Sequence, residues 1–258
     1  MSGYETILLD DSGPVARITL NRPDKRNPLG PQMCGELVHA FTAAREHAGV
    51  RVVILTGAGA VFSAGGDLSS MQNVQAGGSI PPASLVQLFT TMHDVGKPII
   101  AMVNGHALAG GLGLVVACDV AVVSDQAQLG TTEIAVGLWP MMITAEITRN
   151  VGRKRTLEMM LTGRKLSAHE ALEHGLVTRV VPQAQLEHEV AQLAQELVEK
   201  SPAAIALGLR AFYRSQDMEL EVALRYLQSE LGRVLSLEDA AEGIAAFLQK
   251  RKPVWKGR

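Results

Sequence analysis

Cysteine is nearly absent from this chain. Cys34 and Cys118 are the only two in 258 residues, which excludes a disulfide scaffold or a Cys-rich zinc site and makes a reducing cytoplasm the simplest setting. Aromatic residues are equally scarce, at 4 % against 47 % hydrophobic, so the expected core is aliphatic. Neither sign of charge dominates. The 24 Lys and Arg against 26 Asp and Glu leave a net charge of −2, which removes the strong electrostatic case for nucleic acid. Long hydrophobic runs are missing too. The longest, Leu112 to Val123, contains Asp119 and falls short of the ~20 residues a bilayer requires. The opening Met1-Ser2-Gly3-Tyr4-Glu5 has no basic segment followed by an apolar one, so no secretory signal is expected and the protein reads as soluble and cytoplasmic.

Several familiar chemical signatures are also lacking. There is no Walker A sequence, and Gly111-Leu112-Gly113 runs into Leu114-Val115-Val116, so the dinucleotide fingerprint has no third glycine. His169 and His174 are five positions apart and do not share a helix face, which argues against a zinc motif. Val61 stands where a nucleophile elbow at Ser63 would need glycine, so a Ser63/His106/Asp67 triad has little support.

What is present is an alternation of strand and helix. Val15–Leu20 is β-rich and ends at the turn signal Asn21-Arg22-Pro23-Asp24. Met33, Leu37, Ala40, Phe41 and Ala44 recur at helical spacing over 31–47. Short apolar runs at 51–56, 98–103 and 120–123 read as buried strands joined by βαβ crossovers. Gly77 to Pro82 reads as a mobile surface loop. The second half is helical: Ser167-Ala168-His169-Glu170 is a capping box, Ser201-Pro202 opens another helix and Ser236-Leu237-Glu238-Asp239 a third. The expected division is an α/β core over 1–195 and a helical region over 196–258 with a basic tail.

Two glycine-rich segments follow strands: Gly57 to Leu68 and Asn104 to Gly113. Each lies at the C-terminal end of a predicted strand, where α/β sheets bind ligands. The second enters a helix over 110–118, and glycine inside a helix costs up to about 1 kcal/mol relative to alanine. Gly110, Gly111 and Gly113 therefore need a reason, such as close backbone approach. Two N–H donors converging from these loops would form an oxyanion hole; tight connections with close helix packing would account for the same pattern.

Phe62-Ser63-Ala64-Gly65-Gly66-Asp67-Leu68, followed by Asn104-Gly105-His106-Ala107-Leu108-Ala109-Gly110-Gly111 and Cys118-Asp119, resembles the crotonase (enoyl-CoA hydratase/isomerase) superfamily. The likeness runs from Leu20-Asn21-Arg22-Pro23 through Thr132-Glu133-Ile134, Leu161-Thr162-Gly163 and Gly175-Leu176-Val177 to Phe247-Leu248-Gln249-Lys250-Arg251. It implies a spiral of ββα units with a C-terminal helical trimerisation region, and homotrimers that often pair as hexamers. It implies that backbone N–H groups of Ala64 and Gly110 hold an acyl-CoA thioester oxygen, with Gly65, Gly66 and Asp67 at the CoA entrance. Arg22, Lys25 and Arg26 match a CoA-contacting loop, while Phe247 and Lys250 match tail positions that reach a neighbouring subunit's CoA. No metal or redox cofactor is implied, since coenzyme A is part of the substrate.

Hydratases resembling this chain use two glutamates. Here the first position is Gly113 and the second is Glu133. One carboxylate suffices for a 1,3 proton shift and serves hydration less well, so double-bond isomerisation is slightly favoured, with Glu133 as acid and base. Ile134, Val136, Leu138 and Trp139 are expected to desolvate it, and Trp139 to Met142 to line an acyl pocket. Glu146 and Glu158 read as surface residues. Restoring a glutamate at 113 is expected to raise hydration if only that carboxylate is missing. Two other readings stay open: a catalytically weak CoA-binding subunit, and another crotonase-fold reaction such as thioester hydrolysis or C–C cleavage.

Overall fold

The computed structural model describes residues 3–68 and 80–258. In chain order the elements are β1 (Ile7–Asp10), β2 (Val15–Leu20), α1 (Pro31–Glu46), β3 (Val52–Gly57), β4 (Val61–Ser63), α2 (Leu85–Asp94), β5 (Ile99–Val103), β6 (His106–Leu108), α3 (Gly110–Val116), β7 (Val120–Ser124) and β8 (Gln128–Gly130). They continue with α4 (Met141–Asn150), α5 (Arg153–Thr162), β9 (Leu166–Ser167), α6 (Ala168–Glu173), β10 (Arg179–Val181), α7 (Leu186–Val198), α8 (Pro202–Ser215), α9 (Leu220–Leu235) and α10 (Glu238–Leu248).

Two sheets form, a larger one ordered β1-β2-β3-β5-β7-β10 and a smaller one ordered β4-β6-β8-β9. From β2 to β10 every pairing in the larger sheet is parallel, with Ile18 opposite Leu55, Leu55 opposite Ala101 and Ala101 opposite Ala121. The crossovers expected from the apolar runs are therefore present. Successive strand pairs β3–β4, β5–β6 and β7–β8 each place one strand in the larger sheet and the next in the smaller. This is the repeating ββα unit that the resemblance implies.

The central strands β3, β5 and β7 are apolar at nearly every position and buried on both faces, and their alternate side chains serve two cores. Val53, Leu55, Ile99, Ala101, Val103 and Val123 pack with Met33, Leu37, Ala40, Phe41 and Ala44 of α1. Val52, Ile54, Ile100, Met102 and Val122 pack on the other side with Leu186, Val190, Leu193 and Ala194 of α7. Short strands of the smaller sheet and β1 give too little periodicity to be read from sequence, and neither was expected.

Helix termini follow the capping chemistry with one correction. Ser167 and Glu170 form the capping box, and the Ser201 hydroxyl accepts from Ala204 N–H. Ser236, however, closes α9 by donating to the Arg233 carbonyl, while α10 starts after Leu237 without a side-chain cap. The basic tail is pinned rather than loose. Lys256 and Gly257 N–H donate to Asp239 Oδ1 at 2.7 and 3.0 Å, and Trp255 Nε1 donates to the Glu199 carbonyl at 2.7 Å. Helix α9 buries no residue, and Leu220, Leu224, Leu227, Leu231 and Leu235 are all exposed on it. Gly77, Gly78 and Ser79 of the expected surface loop lie outside the described residues. Among the described residues no helix is long and apolar enough to cross a membrane.

Candidate active site

Two loops meet at the edge of the smaller sheet, one leaving β4 and one joining β6 to α3. A third segment, Arg22–Asn27, laces them. Asn27 is fully buried, and its Nδ2 donates to the carbonyls of Ala58, Val61 and Phe62 at 2.9, 3.0 and 3.1 Å. Its Oδ1 accepts from Arg22 N–H at 2.9 Å. Ser63 Oγ donates to the Asn27 carbonyl at 2.8 Å, and Ala64 N–H donates to the Arg26 carbonyl at 2.9 Å. The Leu29 N–H reaches Gly65 O, and Asp67 N–H returns to Leu29 O.

This lacing corrects one expected donor. The Ala64 N–H is already engaged and is not available to a substrate oxygen. Among the described residues the Gly66 N–H makes no hydrogen bond, and neither does that of Gly110, the first residue of α3. The two lie side by side: a methyl built on Gly110 would stand 3.7 Å from Gly66 N. A helix start leaves its first amides unpaired and carries the positive end of the helix dipole. The convergent pair is thus Gly66 and Gly110, which both line one cavity.

That cavity has a volume of about 340 Å³. Ala109, Gly110, Val136, Leu138, Trp139, Met141, Met142 and Ile143 are among the residues that line it. Among the described residues that line it, Glu133 is the only titratable group. Burial pushes the Glu133 carboxyl above its ordinary 4.5, partly offset by its own backbone amide. Among the described residues its buried Oε2 has no hydrogen-bond partner, and no cation lines the cavity to neutralise it. The arrangement offers two amide donors for a developing oxyanion and one carboxylate of raised proton affinity, set in an apolar chamber.

Comparison with known proteins gives this geometry a lineage. The family described as Enoyl-CoA hydratase/isomerase matches residues 10–258. The chain belongs to the enoyl-CoA hydratase/isomerase family. It is 38 % identical over 262 residues to the carnitinyl-CoA dehydratase of Salmonella typhi, covering 98 % of this chain and 99 % of that one. It is 38 % identical over 245 residues to the human enoyl-CoA hydratase domain-containing protein 3, mitochondrial, covering 93 % and 80 %. The solved enoyl-CoA hydratase of Mycobacterium smegmatis superposes with a TM-score of 0.89 at 34 % identity, covering 97 % and 99 %.

In this member of the hydratase/isomerase family the remaining expected residues fall into distinct places. Arg22 pairs with Asp67 at 3.6 Å beside the glycine loop, and Lys25 and Arg26 are exposed on the same segment. Phe247 is 83 % exposed and Lys250 lies exposed beyond the end of α10; neither lines the cavity. Trp139, Pro140, Met141 and Met142 all do line it. Ile134 does not, because its side chain lies near Gly163. The paper triad is not assembled: Ser63 Oγ is committed to Asn27, His106 Nδ1 accepts from Gln128 N–H, and Asp67 faces Arg22. Among the described residues no group of three or more His, Cys, Asp or Glu could hold a metal ion, His169 and His174 included.

Glu146 is a second correction for the family member. It is buried, with its carboxylate 3.3 Å from His93 Nε2. His93 stacks on Tyr213, whose hydroxyl donates to Asp119 Oδ1 at 2.5 Å. This polar group joins α2, α4 and the end of α3 to α8. Glu158 is exposed, as expected. Sequence reading missed Asn27, whose only local signal is the Asn27-Pro28 turn pair, and Ile143, which has none.

Proposed function

We propose that this protein moves a double bond within an acyl-CoA, converting a 3-enoyl thioester to the 2-enoyl thioester. The observation that carries the reading is the single carboxylate, Glu133, the only titratable group among the described residues that line the cavity. In this mechanism the thioester oxygen accepts hydrogen bonds from the Gly66 and Gly110 amides. The Glu133 carboxylate removes a proton from C2, and the electron pair delocalises onto that oxygen as a dienolate. Glu133 then returns the proton to C4, and the double bond settles between C2 and C3. Each amide donor contributes about 3–4 kcal/mol, by analogy with measured oxyanion donors. A carboxyl raised toward the working pH both takes and returns the proton efficiently. The proton shift calls for no group beyond the thioester itself.

Arg22, Lys25 and Arg26 supply cations for the CoA phosphates on one side, with Asp67 orienting Arg22. Phe247 and Lys250, remote from their own chain's cavity, serve a neighbouring subunit in a homotrimer whose contacts use the exposed apolar face of α9. Hydration is the competing outcome, since the family includes hydratases and dehydratases by name. Medium-chain 3-enoyl-CoA and 2-enoyl-CoA, each supplied in water-18, separate the two. Conversion of the former to 2-enoyl-CoA without label supports the proposal. Labelled 3-hydroxyacyl-CoA from the latter, with no isomerisation of the former, overturns it.

A further inference from the structure

Adding water across a double bond is served best by a second polar foothold, because the water must be held and deprotonated while the other carbon is protonated. The resemblance places the other carboxylate of hydratases at position 113, on α3, and α3 packs against α4. Gly113 does not line the cavity, whereas Ile143 of α4 does. A methyl built on Gly113 would stand 2.3 Å from Ile143 Cγ2, 3.1 Å from Ile143 Cβ and 3.1 Å from Phe89 Cζ. Contacts this short with two well-buried side chains leave no room even for alanine. Ile143 is 2 % exposed, so an added group at 113 must displace a packed side chain. The expectation that a glutamate at 113 alone would raise hydration is therefore corrected: its Cβ collides with Ile143 before its carboxylate can extend.

We infer that Ile143 is the specificity-determining residue that confines this site to one-carboxylate chemistry, by filling the space through which a polar group or a water would reach the substrate from α3. The inference rests on the isomerase reading and gives it a physical cause. Ile143 touches the acyl chamber on one side and seals the Gly113 backbone on the other. An apolar side chain here offers an incoming water no hydrogen bond and occupies the volume it would need.

The test uses the full-length protein and four forms: wild type, Ile143→Ala, Gly113→Glu, and Gly113→Glu with Ile143→Ala. Each is checked for folding by circular dichroism. Each is then assayed with 3-enoyl-CoA and 2-enoyl-CoA in water-18 for the ratio of labelled 3-hydroxyacyl-CoA to isomerised product. Gly113→Glu alone is expected to fold poorly or to lose both activities. The double variant is expected to regain folding and to raise the hydration-to-isomerisation ratio at least tenfold. Ile143→Ala alone should raise that ratio several-fold by admitting water, a change of partition that mere loosening of the core would not produce. A Gly113→Glu protein that folds and hydrates as well as the double variant overturns the inference. So does an Ile143→Ala protein with an unchanged ratio, and that variant decides the matter if the double does not fold. Failure of the wild type to isomerise defeats the functional reading instead, and is seen independently in the first arm.

Discussion

Gly65 faces Ala109 so closely that a methyl on Gly65 would stand 2.5 Å from the Ala109 Cβ. The two residues precede Gly66 and Gly110, so their contact sets the spacing of the two free amides. Both occupy left-handed backbone, with φ +100° at Gly65 and +51° at Ala109. Gly65→Ala adds both a clash and a disfavoured φ. It is expected to cost about 1–3 kcal/mol in urea denaturation. Displacement of one donor should lower kcat/KM about 10²-fold. Wild-type kinetics in a Gly65→Ala protein would show that this spacing does not matter.

Glu133→Gln keeps the shape of the only carboxylate among the described residues that line the cavity, and removes its basicity. Isomerisation is expected to fall at least ~10²-fold while CoA-thioester affinity, read by calorimetry, stays within a few-fold. Equal loss of binding and turnover would instead mark Glu133 as a binding residue.

The same carboxyl predicts a pH dependence. Burial raises its proton affinity in the folded protein above the ordinary 4.5. Its stabilising contribution is thus fully present below 4.5 and is lost as pH rises through the folded value. Compared with Glu133→Gln, the wild type should have its best relative denaturation midpoint near pH ~4 and lose ground toward pH ~7. The kcat/KM for isomerisation should rise with pH through an inflection above 4.5, as the base ionises.

Asn27 reaches three carbonyls from inside the protein. Asn27→Ala orphans these groups and is expected to cost about 2–4 kcal/mol of stability. Asn27→Asp should be worse at neutral pH, because a carboxylate would face those carbonyl oxygens. Activity should fall further than unfolding explains, since the glycine loop loses its tether; unaltered kcat in folded Asn27→Ala would refute that coupling.

The leucines on the bare face of α9 make a claim about assembly. Leu227→Asp with Leu231→Asp places two charges on that face. Sedimentation velocity should show a trimer or larger for the wild type and a slower species for the variant, together with weaker CoA binding if Phe247 and Lys250 act across the interface.

Much of the fold was legible in the chain itself. Strands β2, β3, β5 and β7 declare themselves as apolar runs, and α1 by Met33, Leu37, Phe41 and Ala44 all turning inward. The capping box at Ser167 places α6. The smaller sheet was not legible, because strands such as Val61–Ser63 and His106–Leu108 are too short to show a period. Within the site, Glu133 and Gly110 could be found only through the family resemblance. Choosing between the amides of Ala64 and Gly66 could not, because that depends on the Arg26 carbonyl arriving from a distant turn. Glu146 misled for a similar reason: its burial is supplied by His93 and the C-terminal helices rather than by its own helix pattern.

The Tyr213–Asp119 hydrogen bond, with Ile99 N–H as a second donor to the same carboxylate, gives the C-terminal helices a part in the interior of the molecule. Leu209, Phe212 and Tyr213 of α8 line one cavity with Val116 and Cys118 at the far end of α3, the helix whose first residue is Gly110. A chain shortened before Ser201 would uncover that end to water and leave Asp119 without its tyrosine. Grafting the helical region between relatives would therefore require Tyr213 and Asp119 to travel together. The region is an organ of the fold, which a modular exchange would sever at its root.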